Sequence, residues 1–257
     1  MKLCLFNIYF NIFGYKSNWC NEFSYPLIKK FPKIKIIFIV RDPRSVINSK
    51  LGRKIKYPLM PMIYQWRKSV GIMLDIFRNH NDHNNVYICK YENLVSKPKK
   101  TIKSIMRFLG DKNKNIVLTK DLLDANKKKW HQNSSFKNNE IKKLNNWKTK
   151  LNKNQIKVIE NLCFYEMRLL NYKCQKNNSF FNEYKKFNKL EKKPYDVKFV
   201  RYLKKNYNFN KNLFSLEKSR NYLLSSKKMN IKTNNKDIEK FFLKKEIYRI
   251  LKNAKIR

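Results

Sequence analysis

The sequence predicts an α/β fold built on a parallel sheet, followed by a Lys/Asn-rich, mostly helical extension. Three observations lead there. Two short runs rich in Ile, Val, Phe and Tyr, 34–40 and 86–91, have the length and β-branching of buried strands. The segments after them carry apolar residues at spacings of three and four, the mark of one helix face. Strand, helix, strand, helix in this order implies a parallel sheet with helical crossovers. Beyond residue 176 the pattern changes: Lys and Asn become denser, and apolar residues thin into short groups such as Phe199-Val200 and Leu223-Leu224.

Local chemistry sets the boundaries. Ile34 to Val40 is broken only by Lys35 and reads as a central strand. The chain then turns at Arg41 into a helix. Asp42 suits the N-cap, Pro43 suits the first helical position, and Val46, Ile47 and Leu51 follow as an apolar set. Tyr57 to His80 reads as a helix approached through Pro58 and Pro61. Ile63, Trp66, Val70, Met73, Leu74 and Phe77 form its apolar face, and Asn81 to Asn85 ends it. Val86 to Tyr91 is the second strand. Pro98 opens a helix bearing Ile102, Ile105, Met106 and Leu109, and Gly110 suits its C-terminal cap.

Residues 126–146 read as a long polar loop containing Trp130 to Phe136. Asn152 to Leu170 reads as one helix with Ile156, Ile159, Leu162, Cys163, Met167 and Leu170 inward, ended by a left-handed Asn171. In the extension, Ile238 to Lys252 carries Phe241, Phe242, Ile247 and Ile250 at helical spacing. The expected organisation is a domain over 1–175 and a basic helical or partly disordered extension over 176–257. Its 257 residues suffice for both.

Composition narrows the function classes. The net charge of +42 favours anionic ligands by long-range attraction. Nucleic acid is the usual partner of such a charge, but the lysines are dispersed and greatly outnumber the arginines. Lys, Asn, Ile, Phe and Tyr, all with A/T-rich codons, dominate; there are only 4 Gly and 7 Pro. Much of the basic charge thus follows base composition rather than a nucleic-acid footprint. The 5 cysteines are odd in number, widely spaced and without a Cys-x-x-Cys, which argues against a disulfide framework or a zinc site. The histidines add no metal-ligand spacing. No apolar run reaches the ~20 residues of a membrane span. Leu3 to Phe13 is interrupted by Asn7 and Asn11 and lacks a small-residue cleavage site, so the expectation is a cytoplasmic chain.

The chemistry concentrates at the turn after the first strand. A helix N-terminus there favours an anion through its free N–H groups and dipole, and Arg41 adds a forked cationic donor. Ser45 and Ser49 lie four apart on one face of the same helix. That set suits phosphate.

The order of these segments resembles the sulfotransferase family, whose members transfer a sulfuryl group from 3′-phosphoadenosine-5′-phosphosulfate (PAPS). Phe31-Pro32, the strand, and Arg41-Asp-Pro-Arg-Ser-Val-Ile-Asn-Ser49 resemble the family's 3′-phosphate segment. There an Arg at the strand end and a Ser eight residues later grip that phosphate; the matching positions are Arg41 and Ser49. Tyr91-Glu92-Asn93-Leu94, Pro98 and Phe108-Leu109-Gly110 resemble the later strand and helix. Trp130 to Phe136, Trp147 and the helix ending Asn171-Tyr172 resemble the C-terminal third of many bacterial members. Gly14-Tyr15-Lys16-Ser17-Asn18 is similar to a degraded Gly-x-Lys-[Ser/Thr]-Pro stretch.

The resemblance covers residues 14 to 175. It implies a P-loop-NTPase-like sulfotransferase fold, PAPS as donor without a metal, and a hydroxyl or amine acceptor on carbohydrate, lipid, small alcohol or protein. It also implies that Asn133, Ser134 and Ser135 contact the 3′-phosphate or adenine, with His131 in the same loop. Catalytic residues stay unassigned; Tyr15, Lys16 and Glu22 lie where members place a base. One departure stands out. The glycines fall at 14, 52, 71 and 110, none in the strand–Gly/Ser-loop–helix that holds the 5′-phosphosulfate. The expectation is a family fold truncated at its N-terminal βα unit, with activity in doubt. The same departure disfavours a nucleotide kinase. The alternative is a non-catalytic basic nucleic-acid-binding or scaffolding protein derived from that fold. Trp66 and Trp147 read as packing residues.

Overall fold

The computed structural model describes residues 14, 21–51, 59–82, 84–110, 144–176, 213–226 and 235–253. The loop over 126–146 therefore lies outside them except for a turn at 144–146, and so do Asn133, Ser134, Ser135, His131, Tyr15 and Lys16. The chain divides into two units, 1–39 with 81–144 and 40–80 with 145–257.

In the first unit a short 3-10 turn, Asn21–Phe23, leads into α1, Ser24–Lys30. Strand β1, Ile36–Val40, pairs with β2, Val86–Lys90, in a small two-stranded parallel sheet. The register is pinned at its start. Ile36 N–H donates to the Asn85 carbonyl at 2.8 Å, and the buried Asn85 amide donates to the Pro32 carbonyl at 3.0 Å. Asn84 takes the left-handed conformation (φ 47°) that the tight turn into β2 requires, as Asn tolerates. Helices α4, Tyr91–Ser96, and α5, Pro98–Leu109, follow. Thr101 joins them by donating its hydroxyl to the Asn93 carbonyl at 3.0 Å. Gly110 ends α5 at φ 87° with its N–H on the Arg107 carbonyl, the cap its position predicted.

The second unit is helical. It contains α2, Pro43–Leu51; α3, Leu59–Asn79; α6, Trp147–Lys150; α7, Lys153–Leu162; and α8, Phe164–Leu169. It continues with α9, Leu213–Ser225; α10, Asn235–Phe242; and α11, Lys245–Asn253. Helix α3 is central and packs against α2, α7, α8 and α11. Ile63, Ile76, Met73 and Val70 are buried along it, whereas Phe77, expected inward, is exposed.

Two single-helix readings are corrected. The run 152–170 is interrupted at Cys163 (φ −100°, ψ 9°), giving α7 and α8. The i→i−4 bonds into and out of Cys163 survive, so the inward phase passes through the break. Asn152 caps α7 reciprocally with Gln155, and Asn171 (φ 53°) ends α8 in a Schellman arrangement: Tyr172 N–H donates to Met167 O, and Asn171 N–H to Arg168 O. The run 238–252 breaks at Leu243, which sits at φ 67°. Its apolar positions explain the break. Ile238 and Phe242 share one phase, the next turn offers only Lys245 and Glu246, and burial resumes at Ile247, Tyr248 and Leu251. One straight helix cannot bury both sets.

The described parts of 213–253 are core elements. Leu223, Leu224, Ile238, Phe242, Ile247, Tyr248 and Leu251 form a buried cluster with Tyr165 of α8.

Candidate functional site: the strand-to-helix turn at Arg41

The turn from β1 into α2 is held rigidly by its own side chains. Asp42 is buried and caps α2, accepting the Arg44 N–H at 2.8 Å, while Val46 N–H reaches the Asp42 carbonyl at 3.0 Å. Pro43 has no N–H to offer. The N-terminus of α2 is thus already served by an internal carboxylate, and the generic expectation of free N–H groups for an outside anion is reduced accordingly.

Arg44, which the sequence reading passed over, is the hub. Its Nε donates to Asp42 at 3.0 and 3.2 Å, its Nη2 to Asp42 Oδ2 at 2.6 Å, and its Nη1 to Glu160 of α7. The guanidinium lies over the Trp147 ring, 3.9 Å from its centroid. Burial works against this charge, but the hydrogen bonds and charges of Asp42 and Glu160 outweigh it and raise the pKa above the ordinary arginine value. Glu160 also accepts the Gln175 N–H at 3.1 Å. One arginine therefore ties α2, α6 and α7 together. Arg44 is committed to the fold and is not a ligand for solute.

Arg41 sits half-buried at the end of β1. Its carbonyl accepts the Trp66 indole N–H at 2.9 Å, so Trp66 packs and also fixes the backbone that carries Arg41. Ser45 is buried and Ser49 exposed, which separates the pair the sequence placed on one face. Ser49 donates its hydroxyl to the Val46 carbonyl at 2.8 Å, an intrahelical bond that a rotation of the hydroxyl exchanges for another acceptor. Glu22 is exposed on the 3-10 turn and has no feature of a buried base.

Deeper in the second unit lies a network that sequence reasoning also missed. Arg67 Nη1 donates to both oxygens of Glu217 at 2.8 and 2.9 Å, Arg220 Nη2 donates to Glu166 Oε1 at 2.5 Å, and Arg67 Nε lies 3.6 Å from the same oxygen. All four side chains are buried. Burial, then the charge of Arg67, lowers the pKa of Arg220, whereas Glu217 and Glu166 raise that of Arg67 against its burial. The adjacent Cys163 thiol is pushed well up by burial. The available signal was a Glu at an inward helical position, as at 160, 166 and 217. In a chain with 18 acids against 60 basic residues, such an acid needs a buried partner.

Among the described residues, no three His, Cys, Asp or Glu side chains cluster as a metal site, and no helix is long and apolar enough to cross a membrane.

Comparison with known proteins converges on the same stretch. Residues 18–112 match the sulfotransferase family. A Caenorhabditis briggsae protein named "Putative protein-tyrosine sulfotransferase" is 30% identical over 102 residues, covering 35% of this chain and 36% of that protein. The matched region thus spans about a third of the relative's length. No solved structure matches the chain significantly. The stretch similar to that family carries β1, the Arg41 turn, α2, α3, β2 and α5.

Proposed function

We propose that this chain serves PAPS-dependent sulfuryl transfer to a hydroxyl or amine, with the Arg41 turn as the clamp for the donor's 3′-phosphate. The observation that carries the reading is the placement of Arg41. It stands at the end of a sheet strand inside the family-matching segment, on backbone fixed by Trp66 and by the Asp42–Arg44–Glu160 set. A phosphate clamp requires a cation held where its fork cannot drift. On this reading the fold is the P-loop-like sulfotransferase fold, and Ser49 is the second phosphate donor. Asn133, Ser134 and Ser135 complete the nucleotide contacts.

In the reaction, an acceptor oxygen or nitrogen attacks sulfur in line. The bond from sulfur to the bridging phosphate oxygen breaks, the acceptor's proton passes to a base, and adenosine 3′,5′-bisphosphate leaves. Arg41 and Ser49 supply cofactor affinity and orientation rather than bond-making. The relative's name points to a protein tyrosyl hydroxyl as one acceptor of this class.

Isothermal titration with adenosine 3′,5′-bisphosphate tests the clamp. A charged hydrogen bond to phosphate is worth about 1.5–3 kcal/mol, so Arg41→Ala weakens binding roughly 10- to 150-fold. Equal affinity in wild type and Arg41→Ala, or no binding by the folded chain, overturns the reading.

A further inference from the structure

We propose that Glu217, carried by α9, is a positioning residue for the Arg41 clamp and acts on it through Arg67 and Trp66 of α3. The role rests on the reading of Arg41 as a phosphate clamp. It gives α9 a part in nucleotide binding as well as in the core. All four residues belong to the second unit.

Trp66 and Arg67 are consecutive on α3, so their side chains leave the helix about 100° apart. The Trp66 indole N–H reaches the Arg41 carbonyl at 2.9 Å. Arg67 reaches the other way, to α9 and α8. Its Nη1 donates to both carboxylate oxygens of Glu217 at 2.8 and 2.9 Å, and its Nε lies 3.6 Å from Glu166 Oε1. Glu166 is shared with Arg220, whereas both Glu217 oxygens accept from Arg67. Trp66, Arg67 and Glu217 are all buried.

The two ends of this chain of contacts differ in kind. Apolar packing is non-directional and lets a helix slide or turn a little. A buried charged hydrogen bond fixes direction as well as distance, and the guanidinium cannot leave it without stranding a charge. The Arg67–Glu217 pair therefore sets the rotation of α3 about its axis. The indole bond is the sensitive end. An N–H···O bond holds between about 2.7 and 3.2 Å, so a shift of α3 by about 1 Å breaks it. The carbonyl released belongs to the residue whose fork must meet the phosphate.

Adenosine 3′,5′-bisphosphate is titrated into the full chain and its variants, each shown by circular dichroism to be folded under the same conditions. Trp66→Phe keeps a packed ring but removes the indole donor, and weakens binding about 3- to 10-fold. Arg67→Met/Glu217→Leu keeps the site neutral and filled but loses the directional grip. Its urea midpoint stays near that of wild type while its affinity falls by a similar factor. A purely structural role moves stability and affinity together. All three substitutions combined weaken binding no further than Trp66→Phe alone, because both routes act on one bond. Hydrogen exchange without nucleotide is the second readout. The peptide 41–51, where Val46 N–H is bonded to the Asp42 carbonyl at 3.0 Å, exchanges about 3- to 10-fold faster in both variants.

Arg41→Ala separates the outcomes. If it weakens binding while Trp66→Phe and the double variant bind like wild type, the positioning role is overturned and the clamp stands. Unchanged exchange of 41–51 in both variants overturns the positioning role as well. If Arg41→Ala changes nothing, or wild type binds no nucleotide, the clamp itself falls and the role of Glu217 falls with it.

Discussion

Glu217→Gln tests whether the basic C-terminal stretch belongs to the fold. In the native chain two guanidinium groups, Arg67 and Arg220, face two carboxylates, Glu166 and Glu217, and all four are buried. The set is neutral. The substitution keeps the shape of the side chain but leaves two buried cations around one carboxylate. Arg67 loses the partner that holds it at 2.8 and 2.9 Å, and Arg220, already strained by burial and by Arg67, gains no compensation. Breaking a buried pair from one side costs about 3–5 kcal/mol. Against a typical total of 5–15 kcal/mol, this lowers the urea midpoint sharply. The control removes both partners. Arg67→Met with Glu217→Leu restores neutrality, leaving Glu166 and Arg220 as a pair, and recovers most of the loss. A double-mutant cycle then gives a coupling of at least about 2 kcal/mol. A cost below about 1 kcal/mol for Glu217→Gln, or a double variant no better than the sum of the singles, refutes the network and with it the tie between α9 and α3.

The other predictions concern the turn and a thiol. Arg44→Lys keeps the charge but loses the fork shared by Asp42 and Glu160 and the stack on Trp147, so it destabilises by about 2 kcal/mol in urea denaturation; an unchanged midpoint refutes the hub role. Burial, then the Glu160 carboxylate, pushes the Cys174 thiol up to about 11. Since only the thiolate alkylates, Cys174 at pH 8 reacts up to about 100-fold more slowly than an ordinary thiol, and the rate climbs as pH rises toward 11. By linkage the same shift makes stability fall as pH rises above the ordinary thiol value, because the unfolded chain then releases this proton first. Mass-spectrometric peptide mapping after iodoacetamide treatment reads it out; equal rates in the native and urea-unfolded chain sink the assignment.

Much of the first unit and of the Arg41 turn was legible because their signals are local. Asp42-Pro43 at a strand end specifies a cap and a first helical residue, Gly110 and Asn171 specify left-handed helix ends, and each does so whatever lies across the core. The breaks at Cys163 and Leu243 were less legible, although the second was written in a shift of apolar phase between Phe242 and Ile247. The ionic clusters were hidden for another reason. Arg67 and Glu217 lie 150 residues apart, and Arg44 and Glu160 lie 116 apart. Nothing in either local pattern states which acid meets which base. What the sequence does contain is the unpaired half of each statement, an acid on a face that should be apolar.

The arginines carry a sharper message than the net charge. Only 11 of the 60 basic residues are arginine, in a chain whose composition leans toward lysine codons. Among the described residues, Arg44, Arg67 and Arg220 are buried and no lysine is. Where Asp75 needs a cation, Lys244 supplies it from a position 40% exposed. This division follows from the chemistry: a guanidinium is less strongly hydrated and satisfies several acceptors at once, so it survives burial that an ammonium does not. An arginine withdrawn from solvent in this chain therefore marks a place where geometry, not charge alone, is required, whereas Arg78, Arg107, Arg168 and Arg249 stay exposed. Arg41 belongs to that class by its half-buried place beside Arg44. The consequence for the clamp is specific. If Arg41 grips a phosphate through its fork, Arg41→Lys weakens adenosine 3′,5′-bisphosphate binding nearly as much as Arg41→Ala. If a bare positive charge suffices, lysine restores it, and the fork argument fails while the site survives.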